Sequence, residues 1–262
     1  MDAHRRDLIK RRIAEVVRRT RLFKAYHRRF AKFDYRSIEA FVHEYSRRRR
    51  EVYFVQVGAN DGITWDPFHF FIERDGWKGI VIEPQRKVFE ERLRATYAGR
   101  PGIRLLNVAV DSVDGARPLY KYSFSTSRWA TGLASFDKNM LVANFTSAYI
   151  RDNIRNDRLS VSTNPEEYLT SEMVQCVSFH TLLAMASSKP IDFLITDVEG
   201  HDIQILETFP LDRVRPNNII FEQPAPLDNR FSDFISKLKS YDYDVYLTSA
   251  DAIAVQRPSR RQ

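Results

Sequence analysis

Cysteine is nearly absent: Cys176 is the only one in 262 residues. An intramolecular disulfide framework is therefore excluded, and the chain carries no mark of an oxidising compartment. Long apolar runs are missing too. No stretch of about 18 apolar residues occurs, and arginines crowd the first residues where a signal peptide needs an apolar core. The expectation is a chain that neither spans a membrane nor is exported, and that is cytoplasmic or held peripherally at the inner face of a membrane. Two nucleotide-binding signatures are also lacking. There is no G-x-G-x-x-G turn and no Gly-rich loop ending in Lys-Ser/Thr, which disfavours NAD and ATP as ligands.

What is abundant is positive charge, and it is unevenly spread. Residues 1–50 hold 17 Lys/Arg against 6 Asp/Glu, whereas the remaining 24 of 41 basic residues face 28 of 34 acidic ones. The net charge of +7 thus belongs to the amino-terminal part alone. There Leu8, Ile9, Ile13, Val16, Val17, Phe23, Tyr26 and Phe30 recur every three or four residues, with Arg5, Arg11, Arg18, Arg21 and Arg28 largely between them. This is the pattern of a basic amphipathic helical arm. It would dock on its own domain, lie on an anionic membrane surface, or engage a partner protein or nucleic acid. A second helix is expected from about Ser37 to Ser46, with Arg47 to Arg50 as the junction to a core domain of residues 51–262.

From residue 51 the pattern changes to short buried strands and helices in alternation. VYFVQV runs into GANDG; GIVIEP follows at 79–84; IRLLNVAV gives a third strand reaching Val110. Helical stripes separate them, one around Phe68 to Glu73 and one through Val88, Phe89, Leu93 and Tyr97. The alternation resumes with IDFLIT, a helix from about Ile203 to Phe209, NIIFEQ, and a helix striped by Phe231, Phe234, Ile235 and Leu238. YDVYLT and AIAVQR end the pattern as an antiparallel hairpin. The fold class is α/β: a doubly wound, Rossmann-like, mainly parallel seven-stranded sheet with a C-terminal hairpin. The stretch from about 121 to 175 breaks the rhythm without a long strand pattern, and is read as a lid-like insertion or as added structure with no role in binding.

In such a sheet, ligands sit beyond the carboxyl ends of the strands. The first strand delivers Gly58, Ala59, Asn60, Asp61 and Gly62, small and polar residues that let a backbone approach a ligand. Glu83 ends the second strand, about 25 positions on, where a carboxylate can accept both hydroxyls of a ribose; together these point to an adenosine ligand. Asp197 and Glu199 follow the fourth core strand and Glu222 the fifth. Three acids on one edge repel unless a cation, a donor or a proton lies among them, so a divalent metal on Asp197, Glu199 and Glu222 is one reading and a carboxylate base another. His201 is either a base, suited by a neutral imidazole near pH 7, or a polar residue at a helix start, where Asp202 suits the macrodipole.

The ordered blocks VYFVQVGANDGITWDPFHFFIERDGWKGIVIEP, LLNVAV and IDFLITDVEGHDIQIL closely resemble the FkbM-like family of class I S-adenosylmethionine-dependent methyltransferases. The resemblance covers about residues 51–256. It implies that S-adenosylmethionine is the cofactor and that the GANDG loop holds its methionine part. It further implies that Glu83 holds the ribose, that Asn107 to Ala109 lie against adenine, and that Asp197, Glu199 and Gly200 border the methyl-transfer site. Many family members methylate hydroxyls of sugars or natural products, which makes O-methylation of such an acceptor the expected reaction. Gln56 stands where many methyltransferases carry an acid; it can hydrogen-bond the cofactor's ammonium but brings no charge. As base, the preference runs Glu199, Asp197, His201. An RNA methyltransferase gripping phosphates with the arm ranks second. A non-catalytic scaffold recruiting glycan-assembly proteins or a membrane surface is the rival from another class.

Overall fold

The computed structural model describes residues 37–258 apart from 187–188 and 225–227, with Thr20 and residues 25–26 besides. Of the helical arm expected over residues 1–50, the part before residue 37 lies almost wholly outside the described residues. No helix among the described residues is long and apolar enough to cross a membrane.

Helix α1 (Ile38–Arg48) begins where Ser37 caps it, its hydroxyl accepting the Ala40 N–H at 3.1 Å. Such a cap satisfies one of the four donors that a helix start leaves unpaired. Arg47 and Arg48 belong to its last turn, not to a junction. Its apolar stripe lies on the sheet, with Tyr45 edge-on to Phe193 at 4.7 Å between ring centroids. Beneath it the buried Asp192 carboxylate accepts from the Tyr45 hydroxyl, the Tyr53 N–H and the Asn217 amide, and pairs with Arg49 at 3.1 Å. One carboxylate thereby ties the helix to two strands.

The main sheet consists of β1 (Tyr53–Val57), β2 (Lys78–Ile82), β3 (Ile103–Leu106), β7 (Phe193–Thr196), β8 (Asn218–Glu222), β9 (Tyr243–Leu247) and β10 (Asp251–Gln256), in the order β3-β2-β1-β7-β8-β10-β9. The first five are parallel and β10 is antiparallel to both its neighbours. Seven strands, a parallel centre and a terminal hairpin are as the sequence indicates. Alternation decides the layers: Val55 and Val57 face one core with helices α7 (Phe179–Met185), α8 (Asp202–Leu206) and α9 (Asn229–Ser240). Phe54 faces the other, with α1, α2 (His69–Asp75) and α3, which runs from Arg86–Val88 through a π-helical turn at Phe89–Leu93 to Arg94–Thr96. Both faces of the central strands are buried, as apolar runs without alternating polarity require.

Two expectations are corrected. The third strand does not reach Val110: the Asn107 amide donates to the carbonyls of Glu83 and Pro84 at 2.8 and 3.0 Å, and the chain turns there. Ala109–Val110 becomes β4 of a second sheet, ordered β4-β6-β5, with β5 at Gly115–Tyr122 and β6 at Leu169–Val177. The insertion therefore does contain most of a long strand, β6, paired antiparallel over eight residues with β5, which lies largely ahead of it. It also carries helices α4 (Arg128–Thr131), α5 (Lys138–Asn144) and α6 (Ala148–Asn156), closed around Tyr122, Trp129, Leu141, Phe145 and Ile150. A segment with its own apolar cluster is a folded layer, not a loop.

Candidate functional site

The strand ends of β1, β2 and β7 converge on one cleft beneath α4. Its walls are the turn after β1 (Gly58, Asn60), the end of β2 (Glu83, Gln85), the turn after β7 (Asp197, Glu199, His201) and Arg128, Thr131 and Phe136 from the insertion. Gly58 is indispensable to this arrangement. Its φ is +85°, and a Cβ there would lie 1.9 Å from the Asp197 carbonyl oxygen, so only glycine lets the two turns meet.

Glu83 is the fixed point of the cleft. One carboxylate oxygen accepts the Asn60 N–H at 2.9 Å and the other the Gln85 N–H at 2.8 Å. Burial pushes its pKa up to about 7 against these hydrogen bonds and the Arg128 charge, which pull the other way. The Gln85 amide also donates to the Thr131 carbonyl at 2.8 Å, and the Asn60 amide to the Thr131 hydroxyl at 3.2 Å. The insertion is latched to the glycine turn at that one residue. With the latch closed, the cleft measures about 60 Å³, well below the ~300 Å³ at which small-ligand sites begin. The segment from Arg128 to Phe136 forms one wall of this space.

The other residues named for the first turn support it rather than line the cleft. Ala59 is buried in the apolar cluster of Phe54 and Phe68. The Asp61 carboxylate accepts the N–H groups of Ile63 and Thr64. Gly62 lies against Leu93 of α3 and Tyr97 just beyond its end. The Gln56 amide donates to Asp66 at 3.0 Å, while its buried oxygen lacks a partner. Of the pair expected near adenine, Ala109 lines the cleft, whereas the Asn107 amide is spent on backbone carbonyls.

Beyond β7 the backbone is strained: Glu199 has φ +52° and Gly200 +85°. Burial, then Asp197 and Glu222, push the Glu199 carboxyl up to about 9. Asp197 is raised as well, by burial first, and Glu222 is raised to about 7. Asp202 begins α8 and its carboxylate accepts the Val198 N–H at 3.3 Å; burial lifts it to about 7. Asp197, Glu199 and Glu222 thus sense one another. They nevertheless form no metal set, because among the described residues no three His, Cys, Asp or Glu side chains are grouped to hold an ion. His201 is lowered by burial and then by Arg117, and its ring meets Phe136 edge-on at 5.9 Å.

Arg128 escaped the sequence reading. It reaches from α4 into the cleft and lowers the pKa values of Glu83, Asp197 and Glu199 together. Its Nε is buried without a hydrogen-bond partner, and a Cβ on Gly132 would strike the guanidinium at 2.1 Å. The Trp65 ring lies 5.7 Å from the guanidinium carbon. The one available signal was an arginine four residues before a glycine in the insertion, and neither residue type alone marks a site.

A family model described as the methyltransferase FkbM domain matches residues 56–245. No curated protein matches the sequence. Similar solved structures include methyltransferase FkbM from Methylobacillus flagellatus KT, with a TM-score of 0.43 and 9% identity over 79% of this chain and 44% of that one. The chain thus spans under half the length of that protein. Precorrin-6y C5,15-methyltransferase from Geobacter metallireducens GS-15 aligns with a TM-score of 0.40 and 8% identity over 84% and 88% of the two chains. An O-methyltransferase from Bacillus cereus in complex with SAH aligns with a TM-score of 0.37 and 11% identity over 89% and 87%.

Proposed function

Because this chain belongs to the FkbM family of S-adenosylmethionine-dependent methyltransferases, we propose that it transfers the cofactor's methyl group to a hydroxyl of a sugar, glycan or natural-product acceptor. The observation that carries the reading is Glu83: a carboxylate at the end of β2 whose two oxygens are aimed by the N–H groups of Asn60 and Gln85. Each oxygen keeps lone-pair capacity for a ribose hydroxyl. Gly58 and Asn60 would border the methionine part and Ala109 the adenine.

When bound, the cofactor supplies an electrophilic methyl on a cationic sulfur. The chain's contribution is to hold an acceptor oxygen about 3 Å from that carbon and in line with the bond that breaks. The hydroxyl proton needs an acceptor, and the electrostatics rearrange the order of candidates. Glu199, first on sequence grounds, holds its own proton at neutral pH and acts there as a donor. His201, lowered from its usual value, is neutral at pH 7 and fits the role of base, with Asp197 next.

The test is labelled methyl transfer from S-adenosylmethionine into fractionated extract sorted into glycan, small-molecule, RNA and protein pools, beside calorimetric cofactor binding. Label in glycan or small molecules supports the proposal. Label in RNA favours the phosphate-gripping alternative, and no cofactor binding favours the scaffold.

A further inference from the structure

The turn that carries His201 is covered by the insertion, through a series of contacts that begins in the second sheet. The imidazole meets the Phe136 ring edge-on at 5.9 Å. Over the same ring stands the Arg117 guanidinium, its carbon 4.4 Å from the centroid, where a ring face attracts a cation. Arg117 in turn pairs with Asp111, and the other oxygen of that carboxylate accepts the Ser112 N–H at 2.7 Å.

The strands fix each member. Arg117 lies on β5 two residues before Leu119, and residues two apart share a face of a strand; Leu119 lines the cofactor cleft. Ser135 exchanges both backbone hydrogen bonds with Tyr120 of β5, at 2.9 and 3.0 Å. Phe136 is thereby carried by the strand that carries Arg117. The Asp111 N–H donates to the Val177 carbonyl at 3.0 Å, where β4 and β6 end side by side. His201 precedes α8 without a side-chain cap, and among the described residues nothing hydrogen-bonds its imidazole. Packing and charge hold that ring.

Charge reaches it from several elements. Burial lowers the His201 pKa first and Arg117 next; Arg230 pulls the same way, and Asp111 and Asp137 pull against them. Arg230 of α9 is engaged by Glu207 at 2.6 Å, and the Asp137 carboxylate caps α5. On the cleft side stand Arg128, Asp197 and Glu199, and Asp202 follows His201 in the chain. Among these cations, Arg117 is the one stacked on the ring that meets the imidazole.

We infer that Arg117 is a positioning residue for His201: held by Asp111 and stacked on Phe136, it keeps the imidazole in place with a cation beside it, so that the insertion prepares the group that takes the acceptor's proton. For its catalytic meaning the inference rests on the reading of His201 as base. The coupling of Arg117 to the imidazole is measurable without cofactor or acceptor.

The test is the titration of His201 in the full chain, followed by NMR on protein labelled at the imidazole carbons. The chain has six histidines, and H201Q identifies the signal. R117Q removes the cation and leaves Asp111 unpaired, which favours the protonated ring; the His201 pKa is expected to rise by roughly half a unit or more. D111N leaves the cation unopposed and should lower it, while R117K keeps the charge and should stay near the parent. Loosened packing would instead move R117Q and D111N upward together, because water reaching the ring undoes the effect of burial. Opposite shifts support the inference, whereas shifts of one sign, no shift in R117Q, or an R117K value equal to that of R117Q overturn it. The pH dependence of labelled methyl transfer separates the two readings. An acid limb that rises with the His201 value in R117Q supports both. An acid limb that stays while the NMR value moves removes His201 as base, and with it the catalytic meaning of the coupling. An acid limb that tracks His201 in the parent, with no NMR shift in R117Q, removes only the inference made here.

Discussion

Replacing Glu199 by glutamine removes one ionisable group from the sheet's carboxyl edge while keeping its shape. Burial and the nearby Asp197 and Glu222 lift this carboxyl from 4.5 to about 9. A carboxyl with a folded-state pKa above its unfolded value grips its proton more tightly in the folded chain. Its favourable contribution is complete below the unfolded pKa and is lost as pH rises toward the folded one. Each pH unit inside that window removes about 1.4 kcal/mol, so the cost at pH 7 is at most ~3 kcal/mol. Water entering the cleft screens the cluster and the neighbouring acids share its titration, so about half of that ceiling, ~1.5 kcal/mol, is taken as the working value. At ~2–4 °C per kcal/mol for a domain of this size, E199Q should melt roughly 3–6 °C above the parent at pH 7. Below the unfolded pKa the two should coincide. Thermal unfolding of both proteins without cofactor, followed by circular dichroism from about pH 3.5 to 8, measures the difference. Parallel curves would show that the carboxyl is not desolvated, and the argument that Glu199 holds a proton in the free enzyme would go with it.

Cofactor affinity should fall as pH drops from 8 to 6, because Glu83 titrates near 7 and its ionised form is the better acceptor for ribose hydroxyls. E83Q should weaken binding by about tenfold and flatten that dependence in calorimetry. G58A places a Cβ 1.9 Å from the Asp197 carbonyl at a positive φ; a loss of at least ~3 kcal/mol in urea unfolding is expected, and a variant as stable as the parent would disprove the close approach of the two turns. D192A removes the carboxylate that accepts from the Tyr45 hydroxyl, the Tyr53 N–H and the Asn217 amide, though the last still donates to the Tyr45 oxygen at 3.2 Å, and should cost about 3 kcal/mol. D192N should recover part of it, and equal losses in the two would show that the carboxylate's charge and second acceptor oxygen matter more than its hydrogen-bond geometry.

The central sheet is legible in the sequence because its strands are buried on both faces, so apolar runs such as VYFVQV and IDFLIT stand out against the helices between them. The strands of the insertion are hidden by the opposite condition. Much of β5 and β6 is exposed or only half-buried, with Pro118, Ser171, Glu172 and Gln175 interrupting any apolar signal. Glu83 was legible as an acid at a strand end. The support roles of Gln56, Asp61 and Asn107 were not, since a polar side chain after a strand looks the same whether it faces a ligand or a backbone carbonyl. Arg128 and Trp65 were missed for a related reason: both act across the gap between the insertion and the glycine turn, a distance that no local spacing encodes.

Arg128 also links the insertion to the chemistry. It is the cation that lowers Glu83, Asp197 and Glu199 together, and it belongs to the same short helix whose Thr131 latches onto Asn60 and Gln85. Moving that helix outward to admit a ligand therefore withdraws positive charge from three carboxylates at the moment space is made among them. A cationic ligand such as S-adenosylmethionine replaces the lost charge, and a neutral one does not. The cost of opening the cleft is thus repaid differently by the methyl donor and by its demethylated, uncharged-sulfur product. R128Q should accordingly strengthen the binding of S-adenosylmethionine and S-adenosylhomocysteine by a similar factor and leave their ratio unchanged, because the cost of opening is common to both ligands and the guanidinium is withdrawn when either is bound. Calorimetric titration of both ligands into the parent and the variant reads both affinities, and a ratio that shifts in R128Q would show that the guanidinium stays beside the carboxylates in the bound state.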